Sequence, residues 1–225
     1  MDLFHSAVRF FQEGGFFMFP IAIVLVFGVS ISVERWVFLT SARSSNRKAF
    51  DEILPMVQKG DYKGVLGFAN SSGAPVARIL AAGIARLAHT QRRDDIEYAM
   101  EEGVMEALPR LEKRTQYLAT LANIAMLLGL LGTISGLISA FAAVANVNPA
   151  EKAQMLSASI AEAMNATAFG LSSAIPMLLI HTLLQTKTTE IIDSLEMAGV
   201  KCLNILSDKR VLGQQTRAAD RAPGA

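Results

Sequence analysis

The sequence predicts an all-α integral membrane protein. It should have three transmembrane helices, two of them extended into a cytoplasmic helical bundle. Three observations predict this. Charged residues make up 18% and apolar residues 52% of the 225 positions, whereas a soluble domain carries roughly 25% charge. Mean hydropathy is +0.35. Three runs are long and apolar enough to cross a bilayer, and neither strand alternation nor an internal repeat appears.

The first run, Phe16 to Val33, holds 18 uncharged residues. As a helix it reaches about 27 Å. Glu34 and Arg35 close it, and Trp36 stands where an interfacial aromatic belongs. Asp2 and Glu13 in the leader and the lack of a small-residue cleavage site argue for a retained helix over a signal peptide. Pro20 sits near the helix start, where its missing N–H matters little. The second run, Leu118 to Val144, holds 27 uncharged residues and should tilt or protrude. The third, Ile160 to Leu184, contains two ionisable groups, Glu162 and His181. Around them the chain divides into an outer segment 1–15, a first span 16–38, a cytoplasmic helical region 39–117, a second span 118–144, an outer loop 145–159, a third span 160–184, a cytoplasmic helix 185–210 and a flexible tail 211–225.

Orientation follows the flanking cations. Arg43, Arg47 and Lys48 follow the first span, Arg110, Lys113 and Arg114 precede the second, and Lys187 and Lys201 follow the third. Only Arg9 and Lys152 flank the spans on the other side. Residues 39–117 and 185–225 are therefore expected in the cytoplasm, and the N-terminus and 145–159 in the periplasm. Gly60, Ser71 to Pro75 and Thr90 to Arg93 punctuate the cytoplasmic region. Ile96, Met100, Val104, Ala107, Leu111 and Leu118 recur at helical spacing, with Asp94 and Asp95 suited to a helix start. This helix is expected to run directly into the second span, kinked or loosened at Pro109. A second stripe, Ile191, Leu195, Ala198, Cys202 and Leu206, follows the third span. Bundle packing explains both stripes.

Several function classes are excluded. Lys+Arg is 21 against 20 for Asp+Glu, so no basic excess marks a nucleic-acid surface. Cys202 is the only cysteine, which rules out an internal disulfide or a Cys/His metal cluster. No phosphate-binding loop, nucleophile elbow or H-E-x-x-H motif is present. Neither an enzyme nor a cofactor is expected.

Polar and small residues inside the spans are the candidate functional groups. Gly129, Gly132 and Gly136 share one face of the second span, extended by Ala122, Ala125 and Ala140. Small residues let helices approach closely where lipid offers no hydrophobic drive. Thr133 borders that stripe, and its hydroxyl can return to its own helix. In the third span Glu162, Asn165, Phe169 and Ser173 share a face, and Thr167, Gly170, Ala174 and His181 share another. Glu162 is the only carboxylate inside a span, and an ionisable group there usually faces protein or water. A working ion path needs at least one more buried titratable group, supplied by another chain.

Gly129-Leu130-Leu131-Gly132-Thr133-Ile134-Ser135-Gly136 resembles the second-span signature of the MotA/TolQ/ExbB family. The run from Ile160 to Leu171, followed by Ala174-Ile175-Pro176, resembles its third-span signature. The match is closest to the ExbB/TolQ branch and can be laid over most of residues 5–208. The resemblance implies a homopentameric ring in the bacterial inner membrane around the single spans of an ExbD/TolR-like partner dimer. It implies an ion-conducting motor subunit driven by the proton motive force, the partner's membrane aspartate carrying the proton. It places Thr133 and Thr167 facing that aspartate, with Glu162 matching the family's span-three glutamate. Asn165 stands where many relatives have an aliphatic residue, which leaves H⁺ and Na⁺ both open. Gly129, Gly132, Gly136, Gly170 and Pro176 are expected at helix packing positions. The rival readings are a ring or scaffold whose polar residues only lock helices, and a Na⁺-driven stator-like subunit.

Overall fold

The computed structural model describes residues 14–90, 92–145 and 148–220. Among these residues there are six helices and no strand: α1 (Met18–Lys59), α2 (Tyr62–Ser71), α3 (Pro75–Leu87), α4 (Arg93–Glu112), α5 (Thr115–Val144) and α6 (Pro149–Asp220). Three stretches are long and apolar enough to cross a membrane, within Met18–Lys59, Arg93–Val144 and Glu151–Asp208. The chain is thus an all-α protein with three candidate spans.

Local chemistry sets the helix ends. Gly60, with φ of +83°, ends α1 in a conformation that side chains resist. Asp61 then opens α2, its Oδ1 accepting from the Gly64 amide at 2.9 Å, as an N-cap should. Pro75 occupies the first turn of α3, where no amide is needed. Ala74 offers no side-chain cap there. The buried Asn46 of α1 substitutes by accepting from the Val76 amide at 3.2 Å.

One expectation is corrected. The helix ending the cytoplasmic region does not run straight into the second span. α4 stops at Glu112, and Arg114 adopts φ of +67° before α5 begins. The Lys113 amide makes the last bond of α4, to the Pro109 carbonyl, and Lys113 itself is extended, with ψ of +136°. At the other end, where a tail is expected from residue 211, α6 continues to Asp220. The expected outer segment 1–15 lies outside the described residues up to residue 13, as do residues 221–225 of the tail.

The chain folds into two compact units. The first comprises Met1–Trp36 and Arg114–Gln185, and the second Val37–Lys113 and Thr186–Ala225. In the first unit, α5 and α6 bury Ala122, Ala125, Gly129, Gly132, Ala140, Ala163, Ala166, Gly170 and Ala174. Around Ile21, Ala122, Ala125, Ala174 and Met177 a small core collects Val24, Leu121, Leu128 and Phe169. Large side chains point outward from these helices, among them Phe27, Leu130, Ile138, Phe141 and Leu179. Outward apolar residues with small residues inside suit a unit whose solvent is lipid. In the second unit the order reverses. Ile53, Ile79, Leu80, Ile96, Leu111, Ile191 and Leu195 are fully buried. There Arg43 pairs with Glu190 at 3.0 Å, an exposed bridge that contributes little on its own.

Candidate ion-path site

The site lies in the first unit, where α5 and α6 touch backbone to backbone. A side chain on Gly129 would stand 3.1 Å from the Ala166 carbonyl and 3.2 Å from Thr167 Cα. One on Gly170 would stand 2.7 Å from the Ala125 carbonyl and 3.0 Å from Gly129 Cα. Gly132 and Gly136 receive the methyls of Ala166 and Ala163 in the same way. These glycines remove Cβ where the two helices meet.

That closeness brings two hydroxyls together. Thr133 Oγ1 and Thr167 Oγ1 are 2.8 Å apart. Thr167 Oγ1 also lies 2.8 Å from the Gly129 carbonyl across the helix interface. Thr133 Oγ1 reaches the Leu130 carbonyl at 2.9 Å and the Gly129 carbonyl at 3.3 Å within its own helix. Each hydroxyl has one proton and can accept as well. Two arrangements therefore satisfy the pair. In one, Thr133 donates to Thr167, which donates to Gly129. In the other, Thr167 donates to Thr133, which donates to Leu130. Both side chains are half-buried, so each keeps some access from outside the α5–α6 contact. Turning both donors reverses the polarity of the pair with no heavy-atom rearrangement.

The other candidates stand apart from this pair. Glu162 is exposed, and its carboxylate lies against Gly15, just before α1. Gly15 has φ of +71°, and any side chain there would meet the Glu162 carboxylate. Asn165 is half-buried, and no hydrogen bond joins it to the threonines. Pro176 lies within the continuous α6 with its ring exposed, and His181 is half-buried further along. Among the described residues no group of His, Cys, Asp and Glu side chains is arranged to hold a metal ion.

One participant escaped the sequence reading. The Gly129 carbonyl, counted only as part of a packing glycine, serves as acceptor for Thr167. Ser173, already placed on the Glu162 face of the third span, is buried, and its Oγ makes no hydrogen bond among the described residues. Its neighbour Ser172 bonds the Phe169 carbonyl at 3.0 Å, the i−4 acceptor that Ser173 would otherwise use.

Residues 71–197 match the MotA/TolQ/ExbB proton channel family. The Tol-Pal system protein TolQ of Haemophilus influenzae is 37% identical over 93 residues, which are 41% of this chain and 40% of that protein. The match thus spans well under two thirds of that relative. TolQ of Pseudomonas aeruginosa is 28% identical over 177 residues, 72% of this chain and 76% of the relative. An ExbB homolog from Methanothermobacter thermautotrophicus is 24% identical over 199 residues, 88% of this chain and 69% of the relative. With more than half of its length matched and its two span motifs at the α5–α6 contact, the chain belongs to the MotA/TolQ/ExbB proton channel family, on its ExbB/TolQ-like branch.

Proposed function

We propose that this chain is the ion-conducting subunit of an inner-membrane motor. Copies form a ring, a pentamer by family likeness, around an ExbD/TolR-like single-span partner dimer. The N-terminus lies in the periplasm and the C-terminus in the cytoplasm, as the flanking cations ask. The observation that carries this reading is the hydroxyl pair Thr133 and Thr167, 2.8 Å apart at the α5–α6 contact.

A partner aspartate held among these helices has its charged form disfavoured by the low dielectric. A hydroxyl donated to it stabilises the carboxylate, and a hydroxyl accepting from it stabilises the acid. The threonine pair can do either because its donors can turn. Each charge crossing 100 mV releases about 2.3 kcal/mol. That energy would step the partner helices inside the ring, with the second unit as the frame. Glu162 and Asn165 belong to the approach to the pair.

The test is membrane-potential-driven proton flux in vesicles holding the chain with its partner. Thr167→Val and Thr133→Val should bring flux to background while the assembly keeps its size. Thr167→Ser, which keeps the hydroxyl, should retain flux. Full flux in both valine variants would end this reading. One observation favours a second reading. Both hydroxyls also reach helix carbonyls, which is how a purely structural lock would look. A lock predicts that Thr167→Val lowers assembly size first, with flux falling only in proportion. The Na⁺ alternative rests on the four oxygens gathered here, the ligand type that hard cations take. Replacing the proton gradient by a sodium gradient in the same vesicles separates the two ions.

A further inference from the structure

The second unit carries charge of opposite net sign on the two flanks of α4. At about 3.6 residues per turn, Glu97 and Glu101 fall on one side of α4 and Arg110 on the other. Between them Met100, Ala107 and Leu111 are buried against the unit. On the acidic flank, Glu97 and Glu101 join Glu196 of α6 around an apolar cavity of about 400 Å³. Met105 lines this cavity with 69% of its surface exposed, and Val200 with 47%. On the opposite flank a second cavity, of about 370 Å³, has Phe38 and Ala82 in its wall with Arg78, Arg110 and one carboxylate, Glu106, so that the arginines leave this wall with a net positive charge. No side chain among Glu97, Glu101, Glu196, Arg78 and Arg110 makes an ion pair or hydrogen bond with another described residue. Met105 and Val200 together form an exposed apolar patch rimmed by the three glutamates of the acidic flank, which is the composition of a contact surface.

A closed ring of identical subunits needs two different, mutually complementary patches on each copy. The two flanks meet that requirement. We infer that the acidic flank of α4 docks head-to-tail on the arginine flank of a second copy, with Met105 entering the cavity beside Phe38 and Ala82. Glu97 and Glu101 then face Arg78 and Arg110 of the neighbour. Charge complementarity names a second copy as the partner: one patch gathers three glutamates, and the other carries two arginines against one glutamate on the far side of α4. This rests on the ring reading above and names the surfaces that would build the ring's frame.

The experiment is charge exchange in the full-length chain, with assembly size read by native mass measurement in detergent. Glu97→Lys with Glu101→Lys should weaken assembly on the order of a hundredfold by setting like charges together. Adding Arg78→Glu and Arg110→Glu to the same chain should restore it. A pair of cysteine variants tests the contact without reversing any charge. Glu101→Cys and Arg78→Cys placed in one chain should give an oxidised ladder of linked copies, and either alone should not. Linked copies together with restored size support the inference. If the wild type assembles and the reversed variant assembles equally, or the double-cysteine chain stays unlinked, the inference is overturned while the ring reading stands. A wild type that is monomeric with its partner present overturns both.

Discussion

The two units of this chain bury different kinds of residue, and the difference follows from their solvents. Where α5 meets α6 the buried positions are mostly glycine and alanine, and the large side chains face out. In the second unit isoleucine, leucine and valine fill much of the interior. Water rewards burial at about 25 cal/mol per Å² of apolar surface. Lipid does not, so the first unit relies on backbone approach and on interhelical hydrogen bonds such as that from Thr167 to the Gly129 carbonyl. The close approach that stabilises the unit is also what joins the hydroxyls of the proposed path.

The largest expected effect is in the second unit. Leu195 is 0% exposed. Leu195→Ala should destabilise it by about 2–5 kcal/mol through lost transfer energy and a residual cavity. Denaturant titration in mixed micelles, followed by a probe in the second unit, measures this. A smaller loss would mean that the interior collapses around the cavity, weakening the claim that this unit is packed like a soluble core.

Gly170→Ala sharpens the contrast from the other side. Its new methyl meets the Ala125 carbonyl at 2.7 Å and Gly129 Cα at 3.0 Å. These are backbone atoms that cannot turn aside, so the helices must part. The expected cost is about 1–3 kcal/mol, with loss of the Thr133–Thr167 contact and of ion flux. Gly83→Ala, in the second unit, is the control. It meets Met100 side-chain atoms, with Cγ at 2.7 Å, and Met100 can change rotamer. Equal losses from the two variants would remove the distinction between backbone and side-chain packing.

How much of this was legible in the sequence depends on distance along the chain. The first two spans were legible because charge-free runs of 18 and 27 residues have few other uses, and the third because only two ionisable groups, Glu162 and His181, interrupt its run. The glycine stripe was legible from helical spacing, and the threonines from the family's motifs. The bond from Thr167 to the Gly129 carbonyl was not, because it depends on where two helices cross. Nor was the placement of Glu162 against Gly15, set by the docking of α1 on α6 within the first unit. The break at Arg114 escaped because neither Lys113 nor Arg114 has the glycine character that usually marks a left-handed residue.

Cys202 gives a smaller effect that depends on pH. It is buried in the second unit, and burial raises its thiol from an ordinary 9.0 to about 12. The unfolded chain can release that proton above pH 9 and the folded chain cannot. The contribution to stability is therefore intact below pH 9 and is lost as the pH rises from 9 toward 12. At pH 10 the wild type should have lost about 1 kcal/mol relative to Cys202→Ala, as read by parallel denaturant titrations. Thiol alkylation at pH 8 should also stay slow until denaturant is added. Prompt labelling of the native protein would show that this part of the second unit is open to water.

The smallest effect should be a gain. Gly67 lies exposed within α2, and nothing stands within 4 Å of where its side chain would be. It makes no close approach of the kind Gly129 and Gly170 make. Gly67→Ala should therefore stabilise the second unit by about 0.4–1 kcal/mol, by restricting the unfolded chain and favouring the helix. Thermal unfolding monitored by helix signal would detect the rise. The same substitution at Gly170 should lower stability, so the two signs together test whether surroundings, and not intrinsic propensity, decide what a glycine does in each unit. A loss at Gly67 would mean that its surface contacts another copy, and the empty space beside it would then be part of an interface.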